Sequence, residues 1–341
     1  MSKKGIGSAT SKEPAFCAAK QTEDGVGYQR MASAIVNVIA FPGAFNLPLW
    51  IAVDFQFFQS RGIDIHLHYT ASSVQQLSGL INGQWEIALT GFDNIVAYQE
   101  GQGEAVVNEE TDLFAFMGGD SAFLRLVVQS DIRSYADLKG QTLSVDALTT
   151  GFAFVLRKML AINGLNEGEM VFERAGGVMQ RFDALKTGKH KGTLLLTPFE
   201  LMAKEFGCHV LQNASEILPH YQGISGAARR SWARRNSNVL VAFIRAYLDA
   251  LEWLYDLRNK QKACELLVSK TSNMDMKLAS TAYDILVNSE GGFERKACLD
   301  IQGIETVLTL RNEYARPQKY LINSRKYDDL TYYTAALANS I

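Results

Sequence analysis

Short apolar runs alternate with amphipathic segments from residue 35 onward. Ile35 to Ala40 is apolar and rich in β-branched residues, which predicts a buried strand. The next helix is predicted to begin near Asn46, a good N-cap residue, because Pro48 is tolerated in a first turn. Leu49, Ala52, Val53 and Phe57 would form its buried face, and Gly62 its end.

The same alternation continues along the chain. Residues 63–69, IDIHLHY, alternate as a second strand, and Ser72 or Ser73 is predicted to cap the helix VQQLSGLI. WEIALT then predicts a third strand and FDNIVAYQE a third helix. Strands and helices at this spacing are typical of βαβ units, so we expect a parallel-rich sheet with helices on both faces.

A later segment resembles an earlier one. Residues 75–95 and 180–201 each contain a helix that ends at glycine, a polar link, an apolar strand and a Thr-x-Phe-acid sequence. These tetrapeptides are Thr90-Gly91-Phe92-Asp93 and Thr197-Pro198-Phe199-Glu200. The internal similarity predicts two similar α/β lobes that face each other.

The predicted lobes are discontinuous in sequence. Lobe 1 would comprise residues 34–126 and 224–341, and lobe 2 residues 127–223, with crossings at Leu124 to Gln129 and Tyr221 to Arg230. The Gly/Ser/Ala-rich stretch 223–228 is the expected hinge. Beyond it, a helical C-terminal extension should pack on lobe 1, with helices near 237–257, 259–270, 274–288, 300–315 and 330–338.

Composition excludes several classes of partner and site. A formal net charge of −2 over 341 residues gives no reason to expect a nucleic-acid partner. Cys17, Cys208, Cys264 and Cys298 lack zinc-site spacing, so neither a metal nor another cofactor is expected. No apolar run is long enough to insert into a membrane. Residues 1–33 are interpreted as a disordered tail or leader without a secretory signal.

Taken together, these segments resemble one known family. The order of FPGAFNLPLWIAVDFQFFQSRGIDIHLHY, GLINGQWEIALTGFDN, DLKGQTLSV and KTGKHKGTLLLTPFE is similar to that of type II periplasmic solute-binding proteins. Within them, the chain looks like the group that binds nitrate, taurine, alkanesulfonates and thiamine-pyrimidine precursors. The resemblance covers residues 35 to about 257 well and the C-terminal helices loosely. It implies a two-lobed α/β fold in which each lobe is a parallel-rich sheet flanked by helices.

Such a fold predicts where a ligand lies, because open α/β sheets bind ligands beyond the carboxyl ends of their strands. Helix starts there would direct free N–H groups into the cleft, and aromatic side chains would form its walls. The predicted ligand-binding residues are Phe41, Phe45, Asn46, Ser72, Ser73, Thr90, Phe92, Asp93, Asp146, Thr150, Gly151, Phe152, Thr197, Phe199, Glu200, Tyr221 and Arg229.

Two classes of function remain open at this stage. In the first, the cleft binds a small, partly polar aromatic or heterocyclic molecule for an ABC-type uptake system with a membrane permease and ATPase. In the second, a cytoplasmic decarboxylase, lyase or biosynthetic enzyme uses His66, Asp93 and Glu200 in acid–base catalysis. His66 and His68 share a strand face, for which a structural pair is the preferred interpretation.

Localisation follows the same division. The family resemblance implies a periplasmic protein, whereas the absence of a visible signal peptide favours the cytoplasm. The C-terminal helices are compatible with a monomer or a homodimer.

Overall fold

The computed structural model describes residues 33–105, 107, 111–289 and 291–338. The predicted N-terminal tail therefore lies outside the described residues, apart from residue 33. The described chain contains two separate five-stranded sheets, with strand orders β2-β1-β3-β10-β4 and β7-β6-β8-β5-β9. We refer to each sheet and its flanking helices as a lobe.

The first sheet contains the first four strands and the last. Its strands are β1 (Ala34–Ala40), β2 (Ile63–Tyr69), β3 (Ile87–Gly91), β4 (Leu113–Gly118) and β10 (Ile224–Arg229). Its helices are α1 (Leu47–Asp54), α2 (Ser73–Ile81) and α3 (Phe92–Gln99). β1 pairs in parallel with β2 and β3, whereas β10 runs antiparallel between β3 and β4.

The second sheet repeats this topology. Its strands are β5 (Arg125–Val128), β6 (Thr142–Val145), β7 (Val171–Arg174), β8 (Gly192–Leu195) and β9 (His209–Asn213). Its helices are α4 (Gly151–Ile162), α5 (Val178–Lys186) and α6 (Phe199–Ala203). β6 pairs in parallel with β7 and β8, and β5 is antiparallel to β8 and β9. The two-lobed α/β fold that the sequence predicted is thus present.

The remaining helices follow β10. They are α7 (Arg230–Arg235), α8 (Ser237–Tyr255), α9 (Lys260–Lys270), α10 (Met276–Leu286), α11 (Ile301–Tyr314) and α12 (Thr331–Ala338). α8 packs on α1 and α12, and α9 packs on α1. α11 contacts α3 of the first lobe and α4 of the second. The sequence had suggested that the C-terminal extension packs on the first lobe. In the structure it contacts both lobes.

The two crossings between the sheets are tied together by Asp120. Its Oδ1 accepts hydrogen bonds from the backbone N–H of Ala122 on the outgoing segment (2.8 Å) and of Ile224 on the returning segment (3.0 Å). Ala122 and Phe123 have positive φ angles of 77° and 44°. Residues 224–228, by contrast, lie in strand β10, which pairs with a strand on each side, and are buried. The expected hinge at 223–228 is thus mostly a paired strand, and the unusual backbone lies in the outgoing segment.

One predicted boundary and three elements differ between the sequence interpretation and the structure. α1 ends at Asp54, and residues 59–61 form a separate short 3₁₀ turn before Gly62. β4, β9 and α7 had no counterpart in the sequence interpretation. Among the described residues, no helix is both long and apolar enough to cross a membrane. The exact lobe boundaries at 126/127 and 223/224 stay a prediction.

Candidate functional site

A cavity lies between the lobes at the carboxyl ends of their parallel strands. It includes about 550 Å³ of space not filled by protein atoms, part of which is open to solvent. Phe41 follows β1, Gly91 ends β3, Asp146 follows β6 and Leu196 follows β8. The full lining is Phe41, Phe45, Gly91, Asp93, Asn94, Asp146, Thr150, Gly151, Phe152, Gly177, Val178, Arg181, Leu196 and Ile224.

The loop Phe41 to Asn46 supplies the aromatic wall of the first lobe. The Asn46 side-chain amide donates to the carbonyl of Phe41 (2.6 Å) and to that of Gly43 (3.1 Å), which closes the loop. A Cβ at Gly43 would lie 2.2 Å from the Phe45 ring, so only glycine permits this approach. Asn46 is fully buried and thus positions the two phenylalanines without lining the cavity.

Asp93 connects the first lobe to the start of α4 in the second. The Gly151 backbone N–H donates to its carboxylate, an arrangement that suits the positive end of a helix. A Cβ at Gly151 would lie 2.6 Å from Asp93 and 2.4 Å from the Tyr221 hydroxyl. Glycine at this position therefore allows the two lobes to meet.

Arg311 on α11 neutralises Asp93. Its Nη1 lies 2.8 Å from both carboxylate oxygens, and its Nε donates to the side-chain oxygen of Gln102 (3.0 Å). Arg311 has no exposed surface. Burial raises the pKa of Asp93 and the Arg311 guanidinium opposes that rise. The pair is fully desolvated, and each charge needs the other in order to stay buried.

A second buried arginine, Arg181 on α5, is held differently. Its Nε donates to the carbonyl of Leu194 (3.3 Å) and its Nη1 to that of Gly176 (3.2 Å). The nearest carboxylate oxygen, Oδ1 of Asp146, is 3.8 Å from Nη1, which is too far for a hydrogen bond. Burial lowers the pKa of Arg181. Two arginines thus lie beside one cavity, and only Arg311 is in hydrogen-bond contact with a carboxylate.

Comparison with known proteins identifies the family of this chain. The sequence matches the NMT1-like family over residues 36–268, which is more than half of the chain. The chain belongs to the NMT1-like family. A search of curated proteins finds no match.

The fold of this NMT1-like protein is also found in solved structures. A Bordetella bronchiseptica RB50 protein is similar with a TM-score of 0.76 and 18% identity, covering 90% of this chain and 98% of that one. The periplasmic nitrate-binding protein NrtA of Synechocystis PCC 6803 has a TM-score of 0.75 and 13% identity, with 90% and 89% covered. The alkanesulfonate-binding protein SsuA of Xanthomonas axonopodis pv. citri has a TM-score of 0.67 and 14% identity, with 90% and 98% covered.

Seven of the predicted ligand-binding residues line the cavity of this NMT1-like chain. They come from both lobes: Phe41, Phe45 and Asp93 from the first, and Asp146, Thr150, Gly151 and Phe152 from the second. Ser72 caps α2, accepting from the N–H of Gln75 (3.3 Å). With Ser73 it lines a neighbouring depression that shares Asp146 with the cavity.

Other predicted residues lie behind the cavity wall. Thr90 is fully buried and accepts from Asn94 (2.9 Å), and Phe92 is fully buried in the core. Phe199 packs on Phe182 with ring centroids 5.6 Å apart. Phe92 and Phe199 point into the core because each is the first residue of a helix that packs on its own sheet.

Tyr221 and Arg229 mark the two ends of the return segment. Tyr221 lines an adjacent cavity between the lobes, and its buried hydroxyl has no hydrogen-bond partner among the described residues. Burial raises the pKa of this hydroxyl well above its ordinary value. Arg229 pairs in register with Leu113, where β4 begins, and its guanidinium lies beside Gly83. Because β10 is antiparallel, Arg229 is at the opposite edge of the sheet from the ligand cavity.

The structure does not bring together the three acid–base candidates. His66 is half-exposed on β2, with Nε2 3.6 Å from Oδ2 of Asp64. Glu200 is buried in the second lobe, where Thr197 donates to its Oε1 (2.7 Å) and Arg125 lies 3.2 Å away. Burial raises the pKa of Glu200. Of the three, only Asp93 lines the cavity.

The sequence interpretation missed two arginines: Arg181, which lines the cavity, and Arg311, which pairs with the cavity residue Asp93. Arg181 lies three residues after Val178 and one before Phe182, on the apolar face of α5. Arg311 follows Val307 and Leu308 by four and three residues on α11. In both cases a basic residue on an otherwise apolar helix face could have indicated a functional arginine from the sequence. Among the described residues, no group of three histidine, cysteine, aspartate or glutamate side chains could hold a metal ion.

Proposed function

We propose that this NMT1-like protein binds a small, partly polar aromatic or heterocyclic molecule between its lobes, as the substrate-binding component of an ABC-type uptake system. The observation that carries the proposal is the composition of the cavity. Phe41, Phe45 and Phe152 offer aromatic surface, while Asp93, Asp146 and Arg181 offer polar groups. Aromatic walls with a few convergent polar groups suit a flat molecule with polar substituents.

The contacts across the cleft support binding by closure. The N–H of Gly177 donates to the carbonyl of Ala71 in the other lobe (3.1 Å), and Arg174 pairs with Glu104 (2.9 Å). Lobes that meet through such polar contacts can separate more readily than lobes joined by a large apolar interface. We therefore expect the lobes to open for ligand entry and to close around the ligand.

The neighbours in structure support the transport role. NrtA is a periplasmic nitrate-binding protein and SsuA is an alkanesulfonate-binding protein. By analogy with them, the proposed partners are a membrane permease and its ATPase, to which the closed protein would deliver its ligand.

A screen of aromatic and heterocyclic compounds tests the proposal. A ligand that binds the native state should raise the melting temperature with concentration and compact the protein in solution scattering. Mass analysis after long incubation should recover the ligand unchanged. A product that forms at a rate proportional to protein concentration would instead support an enzyme, and a broad panel without any binder would contradict the cavity as a ligand site.

A further inference from the structure

The starts of α4 and α5 both open on the cavity but differ in one respect. The first turn of α4 receives the carboxylate of Asp93 from the other lobe. The first turn of α5 has no acidic residue and no side-chain cap. Its N–H groups at Val178 and Met179 donate to no protein atom among the described residues. Unpaired N–H groups at a helix start form a favourable site for a negatively charged oxygen.

Arg181 lies one turn into α5 and faces the same space. It is only 3% exposed and lines the cavity. Nε and Nη1 each donate to a backbone carbonyl, whereas Nη2 donates to no protein atom among the described residues. A guanidinium that is mostly buried and keeps a free donor beside a cavity gains most from a charged acceptor.

Asp146 does not fill this role. Its Oδ1 accepts a hydrogen bond from the Thr150 hydroxyl (2.7 Å) and stays 3.8 Å from Nη1 of Arg181. Asp146 also lines the neighbouring depression, so part of its charge faces outward. It lowers the cost of burying Arg181 but leaves Nη2 and the first turn of α5 available.

We propose that Arg181 and the first-turn N–H groups of α5 bind the acidic group of the ligand, so that the solute is a small planar acid such as an aromatic or heterocyclic carboxylate. The ligand carboxylate would do at α5 what Asp93 does at α4. Phe41 lies against Gly177 at the start of α5, where an added Cβ would be 3.1 Å from its ring. The ring of an acid held at Arg181 therefore meets an aromatic wall. This inference rests on the proposed function.

The experiment compares acids with their neutral amides. Benzoate and nicotinate are titrated by calorimetry against benzamide and nicotinamide, which share their rings and nearly their shapes. The proteins are the wild type, Arg181→Gln, Arg181→Lys and the control Arg157→Gln. Arg157 lies on α4, is also largely buried, pairs with Glu167 (3.3 Å) and does not line the cavity.

The wild type should bind the acids at least about ten-fold more tightly than the amides, because hydrogen bonds to charged groups are the stronger kind. Arg181→Gln should remove that preference, Arg181→Lys should keep part of it, and Arg157→Gln should keep all of it. If Arg181→Gln does not fold, Asp146→Asn replaces it. This variant removes the carboxylate nearest Arg181 and should tighten benzoate binding.

Two results would overturn the inference. Amides that bind the wild type as tightly as acids would show that Arg181 does not select charge, although the cavity would remain a ligand site. Acid binding that is unchanged in Arg181→Gln and not tightened in Asp146→Asn would place the acidic group elsewhere. If none of the four probes binds, the acid site is contradicted, and the broader panel of neutral compounds then decides the proposed function separately.

Discussion

Two buried arginines beside one cavity show that the same type of side chain can have different roles. Arg311 contacts both oxygens of Asp93 and donates to Gln102, so its donors are used within the protein. Arg181 has two carbonyl partners, a carboxylate at 3.8 Å and an Nη2 that donates to no protein atom in the described part of the chain. Arg311 therefore maintains the structure of the cleft, whereas Arg181 keeps a donor for a ligand. The difference follows from partner geometry and not from burial, which is nearly complete for both.

The largest expected effect concerns the stability of the Arg311–Asp93 pair. Arg311→Met should lower the free energy of unfolding by about 3–5 kcal/mol, because it leaves a buried carboxylate without its cation. Arg181→Met should cost only about 1–2 kcal/mol, since it leaves two carbonyls without a donor. Urea unfolding of both variants measures the difference.

A double variant provides the control for that comparison. Asp93→Asn combined with Arg311→Met should recover part of the stability lost in Arg311→Met, because no unpaired charge remains. Equal losses in the free energy of unfolding in Arg311→Met and Arg181→Met would show that the two arginines are equivalent, which would contradict their different roles.

Asp120 differs from Asp93, because this buried carboxylate pairs with no cation among the residues that the structure describes. Burial raises its pKa to about 6, while the backbone N–H groups of Ile224 and Ala122 oppose the rise. The native state therefore binds the Asp120 proton more tightly than the unfolded chain does. As a result, the contribution of Asp120 to the free energy of unfolding falls as pH rises from about 4 to about 6. Above that window the ionised side chain costs up to about 3 kcal/mol.

Asp120→Asn should remove this cost. Both backbone hydrogen bonds land on Oδ1, which asparagine retains. The variant should match the wild type near pH 4 and be more stable above pH 6, by up to about 3 kcal/mol. Chemical unfolding at both pH values tests it. A wild type that gains stability over the variant as pH rises would contradict the raised pKa.

Two phenylalanines separate core packing from ligand contact. Phe41→Ala should weaken ligand binding by about 1–3 kcal/mol, the range for a lost aromatic contact and its buried area. Phe92→Ala should instead lower stability by about 3–5 kcal/mol, because it leaves a cavity in the core. Calorimetry with the best binder of the screen and urea unfolding distinguish the two effects. If Phe41→Ala and Phe92→Ala each weakened binding in the same proportion to the stability they lose, both rings would belong to the core.

The sequence predicted the two-lobed fold because that fold depends on local order. Apolar runs predict strands, and the carboxyl ends of parallel strands meet at one edge, which was enough to bring Phe41, Asp93 and Thr150 together. The two Thr-x-Phe-acid segments also occupy equivalent positions, at the carboxyl ends of β3 and β8. Their acids nevertheless differ, since Asp93 reaches the cavity and Glu200 pairs with Arg125 inside the second lobe.

Pairings over long distances could not be predicted in this way. Arg311 is 218 residues from Asp93, and nothing in the local pattern of either helix specifies the other. Arg229 lies away from the cavity for a related reason. Its distance from the ligand edge depends on the antiparallel direction of β10, which a short apolar run does not encode.

A crystal structure of the protein with benzoate would show which arginine binds the acidic group of the ligand. A carboxylate oxygen should lie about 2.7–2.9 Å from Nη2 of Arg181, the distance of a charge-assisted hydrogen bond, with the ring against Phe41 and Arg311 still paired with Asp93. Benzoate bound outside this cavity, or with its carboxylate at Arg311 in place of Asp93, would contradict the division of roles between the two arginines.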